Sequence, residues 1–97
     1  MPKSLGLSDV EIADHVFSAL AHPARRQILL SVHYRGNCTS GDIANRFDCS
    51  WPTTSRHLAK LVETGLLNVI QNGREREYSA NSKVLRQMLR KWANYFD

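Results

Sequence analysis

The chain has 97 residues, 42% hydrophobic and 23% charged, a balance that fits one globular domain and excludes both wholesale disorder and a second core. No run approaches the roughly 18 apolar residues of a membrane span, and the Met-Pro-Lys start lacks a signal peptide's apolar stretch, so a cytoplasmic location is expected. The net charge of +4 points to an anionic partner.

Ser8 or Asp9 caps a first helix on which Ile12, Val16, Phe17 and Leu20 form an apolar stripe. It ends near Ala21, because the residue before a proline is driven out of helical geometry and His22-Pro23 follows. Pro23 suits the first turn of a second helix, which runs to about His33 or Tyr34 with Ile28, Leu29 and Val32 inward and stops at Gly36-Asn37. Thr39 or Ser40 caps a short third helix whose apolar side is Ile43, Ala44 and Phe47, and Asp48-Cys49 reads as a turn.

Ser50 caps a fourth helix, with Pro52 in the first turn where the amide it lacks would have no partner. Thr54, Leu58, Leu61 and Val62 share one side of it, Thr53, Arg56 and Lys60 the other, with His57 on the flank and Gly65 as the stop. Two extended runs follow, Leu67 to Gln71 and Arg74 to Ser79, separated by the hairpin dipeptide Asn72-Gly73. Asn81 or Ser82 then caps a last helix with a broad stripe of Leu85, Met88, Leu89, Trp92, Tyr95 and Phe96.

This order describes a mainly α fold with a small β-hairpin, a winged helix-turn-helix of pattern α-α-α-α-β-β-α spanning residues 1–97 as one domain. The helix-turn-helix occupies about 40–65, the wing about 67–80, and the flanking helices about 8–21 and 82–96. These outer helices carry more apolar surface than one small domain covers, so a homodimer is expected through Ile12, Val16, Leu85, Met88, Leu89, Trp92 and Phe96.

Four stretches of this sequence resemble the ArsR-type winged-helix repressors. Leu20-Ala21-His22-Pro23-Ala24-Arg25-Arg26-Gln27-Ile28-Leu29 is similar to that family's opening of the second helix, and Asp42-Ile43-Ala44 to its third. Ser55-Arg56-His57-Leu58, then Leu61 and Gly65-Leu66-Leu67, resembles its recognition helix and exit, and Asn72-Gly73-Arg74 with Tyr78 its wing. The resemblance implies dimeric binding to a palindromic operator, commonly with release by a metal ion or another signal.

Two departures qualify it. Many members hold soft metals through two cysteines at positions that correspond here to Thr39 and Gly41, neither of which offers a thiolate. Others hold zinc through Asp, His and Glu on the last helix, yet residues 82–96 contain none of these and no Cys. No metal and no cofactor is therefore expected, and the sequence names no effector.

The expected DNA-facing set is Ser50, Trp51, Thr53, Thr54, Ser55, Arg56, His57 and Lys60 on the fourth helix, with Arg74 and Arg76 on the wing. Arg56 is the foremost candidate for a base or phosphate contact. Thr54 and Ser55 lie toward the core side, and His57 has packing against the wing as its alternative. Trp51 is read first as a packing residue, and Arg74 and Arg76 have pairing with Glu75 and Glu77 as theirs. One of Arg25, Arg26 and Arg46 is expected to touch phosphate. Cys38 and Cys49 lack CxxC spacing and read as reduced, inert thiols.

The partner is thus double-stranded DNA, with no membrane contact. Catalysis has no support: no Gly-rich phosphate loop, GxSxG or HExxH is present. The competing readings are a winged-helix protein-protein adaptor and a thiol-responsive DNA-binding sensor.

Overall fold

The computed structural model describes residues 8–47 and 50–97. Five helices and three strands follow in the order α1 (Asp9–Leu20), α2 (Pro23–Arg35), β1 (Cys38–Thr39), α3 (Ser40–Phe47), α4 (Trp51–Glu63), β2 (Leu67–Asn72), β3 (Glu75–Ala80) and α5 (Ser82–Asn94). The turn expected at Asp48-Cys49 lies outside the described residues.

Local chemistry fixes the helix starts. Ser8 and Glu11 form a reciprocal capping box on α1, and Thr39 and Asp42 form another on α3, with Asp42 N donating to Thr39 Oγ1 at 3.1 Å and Thr39 N to Asp42 Oδ2 at 3.0 Å. Hydrogen bonding to the carboxyl from the Thr39 backbone N–H, and then from its side chain, holds Asp42 below its ordinary value of 3.8. At the far end of α4, Gly65 (φ 82°) donates to Val62 O at 3.0 Å and Leu66 donates to Leu61 O at 3.0 Å. This pattern needs a left-handed residue, and it tucks Leu66 beside Leu61 in the core.

The core is Ala13, Val16 and Ala19 of α1, Ile28, Leu29 and Val32 of α2, Ile43 of α3, Leu58 and Leu61 of α4, Leu66, Leu67, Tyr78 and Met88. Each large aliphatic chain removed from water there contributes roughly 1.5–3 kcal/mol before entropy is counted. The expected inward faces of α2 and α4 are those observed. On α1 the buried row is Ala13, Val16 and Ala19, with Ile12 and Phe17 on the open side.

Val16 and Met88 are accordingly corrected from interface to core residues. They are 0% and 5% exposed within the protomer and have little surface left for a second chain.

Two features of the sheet depart from expectation. The two-residue β1 has no sequence signature at that length, yet it pairs antiparallel with β3, Cys38 opposite Tyr78 and Thr39 opposite Glu77, giving the order β1-β3-β2. The hairpin turn is one residue later than Asn72-Gly73: Asn72 pairs with Glu75, leaving Gly73-Arg74 as the turn, with φ 65° at Gly73. Asn72 is held in the ladder by its side-chain amide, which donates to Glu77 Oε2 across the strands at 2.6 Å. No helix is long and apolar enough to cross a membrane among the described residues.

Candidate nucleic-acid interface

The start of α4 is held by a short polar chain. Ser50 Oγ accepts from Thr53 N at 3.3 Å and donates to Thr53 Oγ1 at 2.9 Å, which also accepts from Arg56 Nη2 at 3.4 Å. The cap that starts the helix thereby ties Thr53 and the Arg56 guanidinium along one outer face. Ser50, Trp51, Ser55 and Arg56 are exposed, and Thr53 and Lys60 half-buried. Thr54 is different: at 1% exposed it belongs to the core, and its Oγ1 has no hydrogen-bond partner among the described residues. Its place as a DNA contact is withdrawn, because helical spacing turns it inward beside Leu58.

His57 is half-buried. Its ring lies 6.4 Å from that of His22, at the α1–α2 junction, and burial, followed by the charges of Arg25, His22 and Arg56, lowers its pKa from the ordinary 6.5. Arg25 Nε is buried there without a partner among the described residues. The three basic side chains His22, Arg25 and His57 thus sit at one edge of α4, a grouping not legible in the sequence because His57 lies more than thirty residues from the other two. Arg26 instead serves the fold, donating from Nη1 to Leu20 O at 2.7 Å at the end of α1. Arg46 lies over the Phe47 ring at 5.9 Å.

Across from α4, the wing closes a cleft of about 650 Å³. Trp51, Ser55 and Leu58 form one wall, Gln71, Arg74, Glu75 and Arg76 the other, with Thr39 to Gly41 at the end. Among the described residues neither wing arginine has a carboxylate within ion-pair distance, and Glu77 is taken by Asn72. On β3 Arg76 shares the Tyr78 face while Glu77 lies on the other, and Glu75, at the strand's start, also lines the cleft. Two cations therefore face the recognition helix across an open groove.

Thr39 lies in β1 and caps α3, and Gly41 has no side chain to offer. Cys38 is buried against Tyr78 on the sheet, and burial raises its thiol pKa, the opposite of what a reactive thiolate needs. Cys49 lies outside the described residues.

On the opposite side of the molecule α1 packs against α5. Phe17 meets Trp92 edge-on at 5.2 Å, Trp92 meets Phe96 at 4.8 Å, and Lys91 pairs with Asp9 at 3.5 Å. Ile12, Phe17, Leu89, Trp92 and Phe96 remain 38–71% exposed, and Leu85 is half-buried.

A family model described as a helix-turn-helix domain matches residues 20–70, from the end of α1 into β2. The transcriptional repressor SdpR of Bacillus subtilis is 33% identical over 84 residues, which is 87% of this chain and 92% of that protein. Among solved structures, an ArsR family transcriptional regulator superposes with a TM-score of 0.80 at 25% identity, covering 98% of this chain and 91% of the other. NolR of Sinorhizobium fredii gives 0.72 at 28% identity, with 96% and 97% covered. With its recognition helix, wing and flanking helices in these places, the chain belongs to the ArsR family of winged helix-turn-helix, DNA-binding transcriptional regulators and is not an enzyme.

Proposed function

We propose that the chain is a cytoplasmic, dimeric repressor that reads a palindromic operator in double-stranded DNA. Its single winged domain would lay α4 in a major groove and bring Arg74 and Arg76 to the adjacent backbone or minor groove. The observation that carries this reading is the placing of the tethered Ser50–Thr53–Arg56 face of α4 opposite wing arginines that have no ion pair among the described residues, across one cleft. Trp51, Ser55 and Lys60 flank that face, and His57 supports it from the edge. Two-fold pairing of α1 and α5 through Ile12, Phe17, Leu85, Leu89, Trp92 and Phe96 covers the exposed apolar side. The name of the Bacillus relative and a homodimeric winged-helix structure from Mycobacterium bovis agree with repression and with pairing.

No metal is assigned to the start of α3, since Thr39 is engaged as a cap and Gly41 supplies no donor. Selection of bound sequences from a random duplex pool tests the reading. An inverted repeat with half-sites about 34 Å apart, or a multiple of it, is the expected result. Salt-sensitive binding with no enriched sequence would favour a protein-protein adaptor instead.

A further inference from the structure

A second cavity, of about 520 Å³, lies between α2 and the start of α5, lined by none of the residues of the α4–wing cleft. Leu20, Leu29 and Leu85 form its base, and Leu30 and Tyr34 its outer wall. Leu30 and Tyr34 are 56% and 79% exposed, so none of the described residues covers this wall. The volume falls within the roughly 300–1,000 Å³ of small-molecule sites, which combine an apolar lining with a few placed polar groups.

Asn81 and Ser82 add neutral polar groups, and the charged ones have one sign. Arg26 and Arg86 stand at the rim with His33, and no carboxylate among the described residues lines the cavity. Neither arginine has an ion pair among the described residues. Arg26 is also held in place, because its bond to Leu20 O fixes the guanidinium at the rim while its other N–H groups stay free to donate. A planar fork of this kind matches a carboxylate, and an apolar floor beneath it matches a hydrocarbon body.

We propose that this cavity binds an amphipathic monocarboxylate, with its head at Arg26 and Arg86 and its hydrocarbon part on Leu20, Leu29 and Leu30. Calorimetric titration of the full chain with decanoate, without DNA and below the micellar concentration, tests it. Saturable binding of one decanoate per protomer is expected, with little heat from decyltrimethylammonium. Arg86→Gln, which removes a charge-assisted hydrogen bond at an exposed position, is expected to weaken binding roughly tenfold. Leu30→Asn is expected to weaken it several-fold while leaving the sedimentation coefficient unchanged.

Absence of saturable binding, equal binding of the cationic amphiphile, or an unaltered Arg86→Gln variant would overturn the proposal. Dissociation of Leu30→Asn into monomers would also overturn it and make this wall a contact between copies. Binding is read without DNA, so its failure leaves the operator reading intact.

Discussion

The rings of His22 and His57 lie 6.4 Å apart, so the α1–α2 junction rests directly against the recognition helix. Burial and the nearby cations lower the His57 pKa, and the folded protein therefore binds fewer protons there than the unfolded chain just below pH 6.5. The stability that neutral His57 supports is present above 6.5 and is lost as pH falls through the lowered folded value. His57→Gln should flatten the fall in urea midpoint between about pH 7 and pH 5. An equal fall in both proteins would place the acid sensitivity elsewhere.

Arg56→Ala should reduce operator affinity by about tenfold or more, the loss of one contact worth roughly 1–3 kcal/mol. The side chain is exposed, so the thermal midpoint should hardly move. Fluorescence anisotropy across a salt series reads both affinity and the number of phosphates neutralised. A variant binding like the parent would remove Arg56 from the mechanism.

Ser50→Ala removes the cap of α4 and one end of the chain leading to Arg56. A cost of about 1 kcal/mol in chemical denaturation is expected, together with weaker operator binding. Loss of stability with fully retained binding would show that Arg56 needs no positioning from Thr53.

Thr54→Val replaces a buried hydroxyl that has no partner among the described residues by a methyl group. Stability should rise by about 1 kcal/mol, with operator affinity unchanged. A drop in affinity would mean that this hydroxyl serves the DNA-bound state.

Trp92→Ala breaks the edge contact with Phe17 and the tilted contact with Phe96. Sedimentation equilibrium should show a dimer dissociation constant raised roughly tenfold or more, as for a buried aromatic anchor. DNA binding should weaken as a consequence and recover at high protein concentration. A variant still dimeric at low concentration would place the interface elsewhere.

Periodicity and punctuation made most of this architecture legible. Pro23, Gly36, Ser50 and Gly65 mark boundaries through backbone chemistry that acts within a few residues, and the inward faces of α2 and α4 follow from a regular repeat. β1 escaped because two residues cannot show alternation, and the hairpin turn slipped by one because cross-strand pairing, with Asn72 on Glu77, outweighed the local preference of Asn72-Gly73. On α1 two apolar rows competed. The row of Ala13, Val16 and Ala19 went inward, where small side chains let the helix approach, leaving Ile12 and Phe17 outside.

By itself the sequence determined the helix order, the wing and the polar face carrying Thr53 and Arg56, because these depend on residue spacing along one element. Only the tertiary structure decided that His57 meets His22, that Arg26 holds the end of α1, and that two arginines of the wing look across a cleft at α4. Each of these joins side chains from different elements, and such contacts are set by how the elements pack together.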